Sequence, residues 1–176
     1  MKPFFEAAFV DLNRNDNARA AAARVLAKNA DDEELTDLLL TATPDQHLVL
    51  MASLHKKSLN QRVELIQRVQ SKLDDALGTP SPAKTRIQHA ELIANGVILL
   101  LKIEPKDERI RKCLAELADP TARSLIIVQC YKYGVPLEQI LQSLLAVKGD
   151  NDIENTLARQ ALILACEPYH ADFSSQ

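Results

Sequence analysis

Apolar residues recur along most of this chain at the spacing of one-faced α-helices. Two stretches, 107–134 and 137–169, share one order: an amphipathic helix, a break, and an Ala-Arg pair that begins a second apolar helix. The apolar stripes of the two first helices are Ile110, Cys113, Leu114, Leu117 and Ala118, and Leu137, Ile140, Leu141, Leu144 and Leu145. This register predicts that Leu141 is buried and that Gln142 is exposed. Repetition of helix pairs is typical of a stacked solenoid.

The first half of the chain shows the same helical periodicity. Asp31 and Asp32 are suited to cap a helix, and Thr43-Pro44-Asp45 is suited to end it. The predicted helices cover about 4–12, 17–29 and 32–42, run through 48–54 and 63–73, and cover about 84–103.

The helix over 84–103 has almost no polar face, which predicts burial on most sides. Gly96 costs such a helix about 1 kcal/mol relative to alanine. We therefore expect a neighbouring helix to approach closely at Gly96.

Composition favours an all-α fold, because leucine and alanine dominate while aromatic residues are 4% of the chain and tryptophan is absent. The fold class we predict is an α-solenoid of HEAT-like antiparallel helix pairs. The chain's length of 176 residues suits a single domain over 1–176, with a possible internal break at 78–83, where glycine and proline cluster.

Charge and cysteine content limit the classes of partner and the cellular compartment that we expect. The net charge of −3, with basic and acidic residues interspersed, gives no electrostatic reason to expect nucleic acid. Three cysteines cannot close a disulfide framework, and no apolar run is long enough for a signal peptide core or a membrane span. We expect a cytoplasmic protein without a membrane partner.

Residues 17–169 resemble the HEAT-like helical region of planctomycete multidomain proteins, in which it lies between a serine/threonine kinase domain and a formylglycine-generating-enzyme-like (sulfatase-modifying-factor) domain. The resemblance is carried by 26–39, by the Asp-Pro-x-x-Arg-Ser turn and helix at 119–126 with Gly134-Val135, and by 158–164 with Glu167 and Tyr169. Cys166 replaces the usual glycine and Pro168 interrupts the usual ending, so we expect this helix to end differently. The resemblance implies a scaffold segment of a larger assembly and brings no catalytic residue.

Candidate catalytic and metal-binding residues have stronger structural explanations. The four histidines lack the spacing of metal ligands, and no phosphate-binding loop or nucleophile motif occurs. Cys130 beside Tyr131 could be a nucleophile, but packing in the core is the favoured interpretation. The acidic run 31–34 fits the positive end of a helix dipole. We therefore predict no catalytic residue, no metal site and no cofactor.

Two groups of basic residues also have structural explanations. The run His55-Lys56-Lys57 and the helix bearing Arg109, Arg111 and Lys112 could bind phosphate or an acidic partner, but neighbouring carboxylates favour a solvated mixed-charge face. Arg123 and Arg159 hold one place in the repeat and are expected to bond Asp119 and Asp152 of the preceding turns.

The predicted function is therefore a non-catalytic scaffold or protein-interaction and spacer module. An enzyme of lyase type on a HEAT-like scaffold and a nucleic-acid-binding helical solenoid remain the alternatives. A stack of helix pairs exposes a face lined by inner helices. The residues predicted to contact a protein partner, at the solvent-facing edge of those helices, are His55, Lys56, Lys132 and Tyr133.

Overall fold

The computed structural model describes residues 1–79, 85–115, 120–147 and 153–170, and every regular element in these ranges is a helix. The predicted all-α class is confirmed. The α-helices are α1 Lys2–Val10, α2 Asp16–Asn29, α3 Asp32–Thr41, α4 Pro44–Leu54, α5 Leu59–Gly78, α6 Arg86–Ile103, α7 Glu108–Ala115, α8 Pro120–Gln129, α9 Leu137–Ala146 and α10 Ile153–Cys166, and a 3-10 helix follows at Glu167–Tyr169. Within the described ranges, no helix combines the length and the apolar character needed to cross a membrane.

The chain forms two compact units, Met1–Val69 (the first unit) and Gln70–Gln176 (the second unit). The boundary lies within α5 and therefore precedes the break at 78–83 that the glycine and proline residues suggest. Residues 80–84, which include most of that break, lie outside the described residues.

Side-chain caps mark the starts of α3 and α4 in the first unit. The Asp31 carboxylate accepts a hydrogen bond from the Glu34 amide at 2.8 Å, so Asp31 caps α3 as predicted. Thr43 and Gln46 form a capping box at the start of α4, and Pro44 occupies the first turn. The buried Gln46 amide also donates to the Phe9 carbonyl oxygen at 2.7 Å, which joins α4 to the end of α1.

In the first unit, α2 packs against α1 and α4, and α3 packs against α4. These contacts bury small and branched side chains that recur at helical spacing. The core includes Ala22, Ala23, Leu26, Leu35, Leu39, Leu50 and Leu54.

The centre of the second unit is α6, which packs against α7, α8 and α9. Nine consecutive residues, 93–101, are buried, so the predicted burial of this helix is confirmed. The predicted close approach at Gly96 is also confirmed: a Cβ atom built on Gly96 would lie 2.8 Å from Cδ2 of Leu73 in α5.

Two arginines close the helix pairs of the second unit. Arg123 in α8 donates to the Leu114 carbonyl oxygen near the end of α7 at 3.4 Å, and Arg159 in α10 donates to the Val147 carbonyl oxygen after α9 at 2.8 Å. The two residues therefore have equivalent structural roles, with backbone carbonyl groups as described partners. The aspartates predicted as their partners, Asp119 and Asp152, lie outside the described residues.

The predicted register of α9 is wrong. Leu141 is 43% exposed and Leu145 is 80% exposed, whereas Gln142 is half-buried. The buried face consists of Ile140 and Ser143, with Val147 one turn further on. The apolar stripe of α9 is wider than the surface its neighbours cover, so only one edge of it lies in the core.

Candidate functional site

His55 and Lys56 follow the last residue of α4. The His55 amide donates to the Met51 carbonyl oxygen at 3.0 Å and the Lys56 amide donates to the Ser53 carbonyl oxygen at 3.2 Å. The backbone is thus fixed by the last helical turn while both side chains are exposed. The exposure predicted for these two residues agrees with the structure, and their role in binding stays a prediction.

Lys132 and Tyr133 lie in the turn that ends α8, in the second unit. The Gly134 amide donates to the Tyr131 carbonyl oxygen and the Val135 amide donates to the Cys130 carbonyl oxygen. With φ of 65° at Gly134, these bonds form a Schellman motif. The motif exposes Lys132 and turns Tyr133 inward.

Tyr133 is 3% exposed, which contradicts its predicted place on a solvent-facing edge. Burial raises the pKa of its phenol to about 12, and a side-chain hydrogen bond with Asn95 of α6 opposes that rise. Asn95 is itself buried, so the bond pairs two polar groups inside the unit. Tyr133 therefore belongs to the core, because the turn that follows α8 folds it under the helix end.

Tyr133→Phe is expected to lower stability by about 1–3 kcal/mol, because it removes a hydrogen-bond partner from the buried Asn95 amide. Lys132→Ala is the neighbouring control and should change stability by at most about 0.5 kcal/mol. Urea unfolding followed by circular dichroism measures both values. An unchanged midpoint for Tyr133→Phe, together with weaker partner binding, would return Tyr133 to the interaction surface.

Most of the basic residues noted in the sequence are paired with carboxylates. Within the first unit the Lys57 ammonium lies 2.5 Å from an Asp32 carboxylate oxygen, and both side chains are less than one-fifth exposed. In the second unit Arg109 makes two bonds to Asp74, from Nε at 2.9 Å and from Nη2 at 2.7 Å. A bidentate pair of this kind fixes α7 against α5.

Two further basic residues of α7 are paired in the same way. Arg111 lies 3.3 Å from Glu154, and Lys112 lies 2.8 Å from Glu108. These pairs agree with the mixed-charge face that the sequence favours.

A first cleft, in the second unit, has a volume of about 430 Å³ and is bordered by α7, α9 and α10. The Arg111–Glu154 pair crosses it, and the buried Ser143 and Asn155 contribute polar groups to its wall. The connection 148–152 between α9 and α10 lies outside the described residues. The described wall offers charged side chains, among them the Arg111–Glu154 pair, and neutral polar groups.

A second cleft, in the first unit, was missed by sequence reasoning. It has a volume of about 290 Å³ and lies between α1, the end of α2, and α3. Its apolar wall includes Phe9, Leu26 and Leu38, and its polar rim combines one amine with three carboxylates. The lining residues are Lys2, Glu6, Phe9, Val10, Leu26, Ala30, Glu34, Asp37, Leu38 and Thr41. No signal in the sequence marks this cleft, because α1 and α3 come together only in the folded chain, where Val10 lines the cleft and is 67% exposed.

The cysteines have the properties of packing residues. All three lie within the described ranges and none forms a disulfide. Cys130 is fully buried, and burial raises the pKa of its thiol to about 12, which disfavours the nucleophilic thiolate. Burial also lowers the pKa of the Lys102 ammonium group, to about 8.

Among the described residues, no group of three or more histidine, cysteine, aspartate or glutamate side chains could hold a metal ion. No family model matches the chain, and no curated protein or solved structure matches it either. The resemblance to the planctomycete helical region therefore stays a prediction.

Proposed function

We propose that the chain is a non-catalytic α-solenoid of HEAT-like helix pairs that acts as a cytoplasmic protein-interaction or spacer module within a larger multidomain protein. The packing of alternate helices supports the repeat: α2 contacts α4, α6 contacts α8, and α8 contacts α10. In a HEAT-like stack the second helices of successive pairs must touch in this way. The arginine bonds that close two pairs of the second unit support the same architecture.

The observation that carries the binding role is the uncovered part of α9. We define the α9 stripe as four leucines on one face of the helix, two of them half-buried and two exposed. They are Leu137, Leu141, Leu144 and Leu145. Grouped exposed apolar side chains mark interaction surfaces more often than isolated ones do. The α9 stripe is therefore the main contact surface of the proposed module.

The test compares two full-length variants of matched exposure. Leu141→Ser/Leu145→Ser changes side chains that are 43% and 80% exposed, and Val63→Ser/Leu59→Ser changes side chains on α5 that are 44% and 68% exposed. We expect partner capture from the source cell to fall only in the α9 variant, although the two variants should lose similar stability because the exposures of the changed side chains are matched.

Activity screens for hydrolase, kinase and lyase reactions accompany the capture experiment. Robust turnover by the purified chain would refute the non-catalytic function. Equal partner capture by the two double variants would refute the role of the α9 stripe.

A further inference from the structure

The cleft of the first unit has the size of a side-chain pocket. Its volume of about 290 Å³ lies at the lower end of the roughly 300–1,000 Å³ that small-molecule sites occupy. Phe9 and Leu26 are buried and Leu38 is half-buried, so their described surfaces form a firm apolar wall. A pocket of this size accommodates one or two bulky apolar side chains.

The rim of the cleft carries excess negative charge. Glu6, Glu34 and Asp37 contribute three carboxylates, and Lys2 contributes one ammonium group, which leaves two net negative charges. The Lys2 ammonium donates a hydrogen bond to Glu34 Oε1. This bond, with smaller contributions from the charges of Glu34, Glu6 and Asp31, raises the pKa of Lys2. The rim therefore already stabilises an amine that belongs to the chain itself.

Val10 adds an exposed apolar side chain to the cleft, since it lines the cleft at the end of α1 and is 67% exposed. An apolar wall with an acidic rim is complementary to a helix or peptide that presents leucine and lysine on one face.

We propose that this cleft binds a basic amphipathic peptide segment of a partner protein, with an aliphatic side chain between α1 and α3 and lysine or arginine side chains on the rim carboxylates. The inference rests on the proposed interaction function and names the partner chemistry for a second surface of that module. A second copy of the chain is a poorer occupant, because each copy carries a net charge of −3.

The direct test is fluorescence anisotropy of the full-length chain with a fluorescein-labelled peptide of about 15 residues built from leucine and lysine in helical register. Two comparison peptides replace every lysine by glutamate or every leucine by serine. We expect binding only of the basic amphipathic peptide, and we expect it to weaken as salt rises from about 0.1 M to about 1 M, since the Debye length falls from about 10 Å to about 3 Å.

Rim charge is tested with Glu6→Gln/Asp37→Asn, which keeps the shape of both side chains. Losing two partly exposed ion pairs should weaken peptide binding about fivefold to tenfold. The charge-matched control is Asp45→Asn/Glu64→Gln, which removes two exposed carboxylates of the first unit that do not line the cleft and should change binding by less than about twofold.

The apolar wall is tested with Val10→Ser, which should weaken binding about tenfold because a partly buried valine contact is lost. Leu12→Ser is its control, since Leu12 is 75% exposed and does not line the cleft. Equal affinities for site and control variants would overturn the proposal, as would binding of the acidic peptide or self-association that Val10→Ser abolishes.

These outcomes separate the two proposals. The rim and wall variants leave the α9 stripe unchanged, so loss of the cleft proposal with retained capture through α9 overturns only the inference. Specific peptide binding at the cleft with no effect of the α9 variant on capture overturns only the role of α9.

Discussion

Gly96→Val is expected to destabilise the second unit by about 3 kcal/mol, the upper end of the usual cost of overpacking. A Cβ atom at this position would lie 2.8 Å from Cδ2 and 3.0 Å from Cγ of Leu73. Leu73 is fully buried and cannot move into solvent, so the added atoms must displace packed neighbours. Urea unfolding followed by circular dichroism measures the loss.

Gly78→Val is the matched control, because a Cβ atom built on Gly78 meets no other atom within 4 Å. We expect this control to change stability by at most about 0.5 kcal/mol. Leu73→Ala introduced together with Gly96→Val should cost less than the sum of the two single changes, since the shorter side chain makes room for valine. Equal midpoints for the two valine variants would contradict the close approach of α5 and α6.

Ile140→Ala should cost about 2–5 kcal/mol, the range found when a buried aliphatic side chain is truncated to alanine. Ile140 is fully buried at the centre of the covered edge of α9. Leu145→Ala, five residues later on the same helix, should cost at most about 0.5 kcal/mol because Leu145 is 80% exposed. Leu141→Ala should fall between them, since Leu141 is 43% exposed.

The measurement is again the urea midpoint, with equal slopes required of all three variants. A larger loss for Leu141→Ala than for Ile140→Ala would favour the register read from the sequence over the register of the structure.

The existence of the helices could be predicted because hydrophobic periodicity, capping residues and helix-breaking residues are all local features of the sequence. Asp31 caps α3 and Pro44 occupies the first turn of α4, as local chemistry requires. Gly96 was equally informative, since glycine inside an apolar helix has few explanations other than close packing. In each case the interaction that determines the local structure involves the residue's own helix turn or the helix packed next to it.

The features that the sequence did not predict correctly depend on which helix surfaces remain uncovered after the helices pack. The apolar positions of α9, Ile140 together with the four leucines of the α9 stripe, outnumber those that α6 and α10 cover, and the sequence does not indicate which edge turns inward. The sequence places Tyr133 beside Lys132 on the solvent-facing edge of an inner helix, but the Schellman motif separates the two side chains. The cleft of the first unit combines α1 and α3, whose side chains come together only in the folded chain.

The arginine bonds of the second unit also bear on how tolerant its connections are to changes in length. Arg123 bonds a carbonyl group nine residues earlier, whereas Arg159 bonds one twelve residues earlier. Most of this difference lies within the second helices, because Arg123 is the fourth residue of α8 and Arg159 is the seventh residue of α10. By loop-closure entropy, lengthening a connection by a few residues costs less than about 0.5 kcal/mol. A charged hydrogen bond contributes more than that. Each pair is thus closed by an arginine inside the second helix, and evolution can lengthen or shorten the connection without redesigning the interface that it joins.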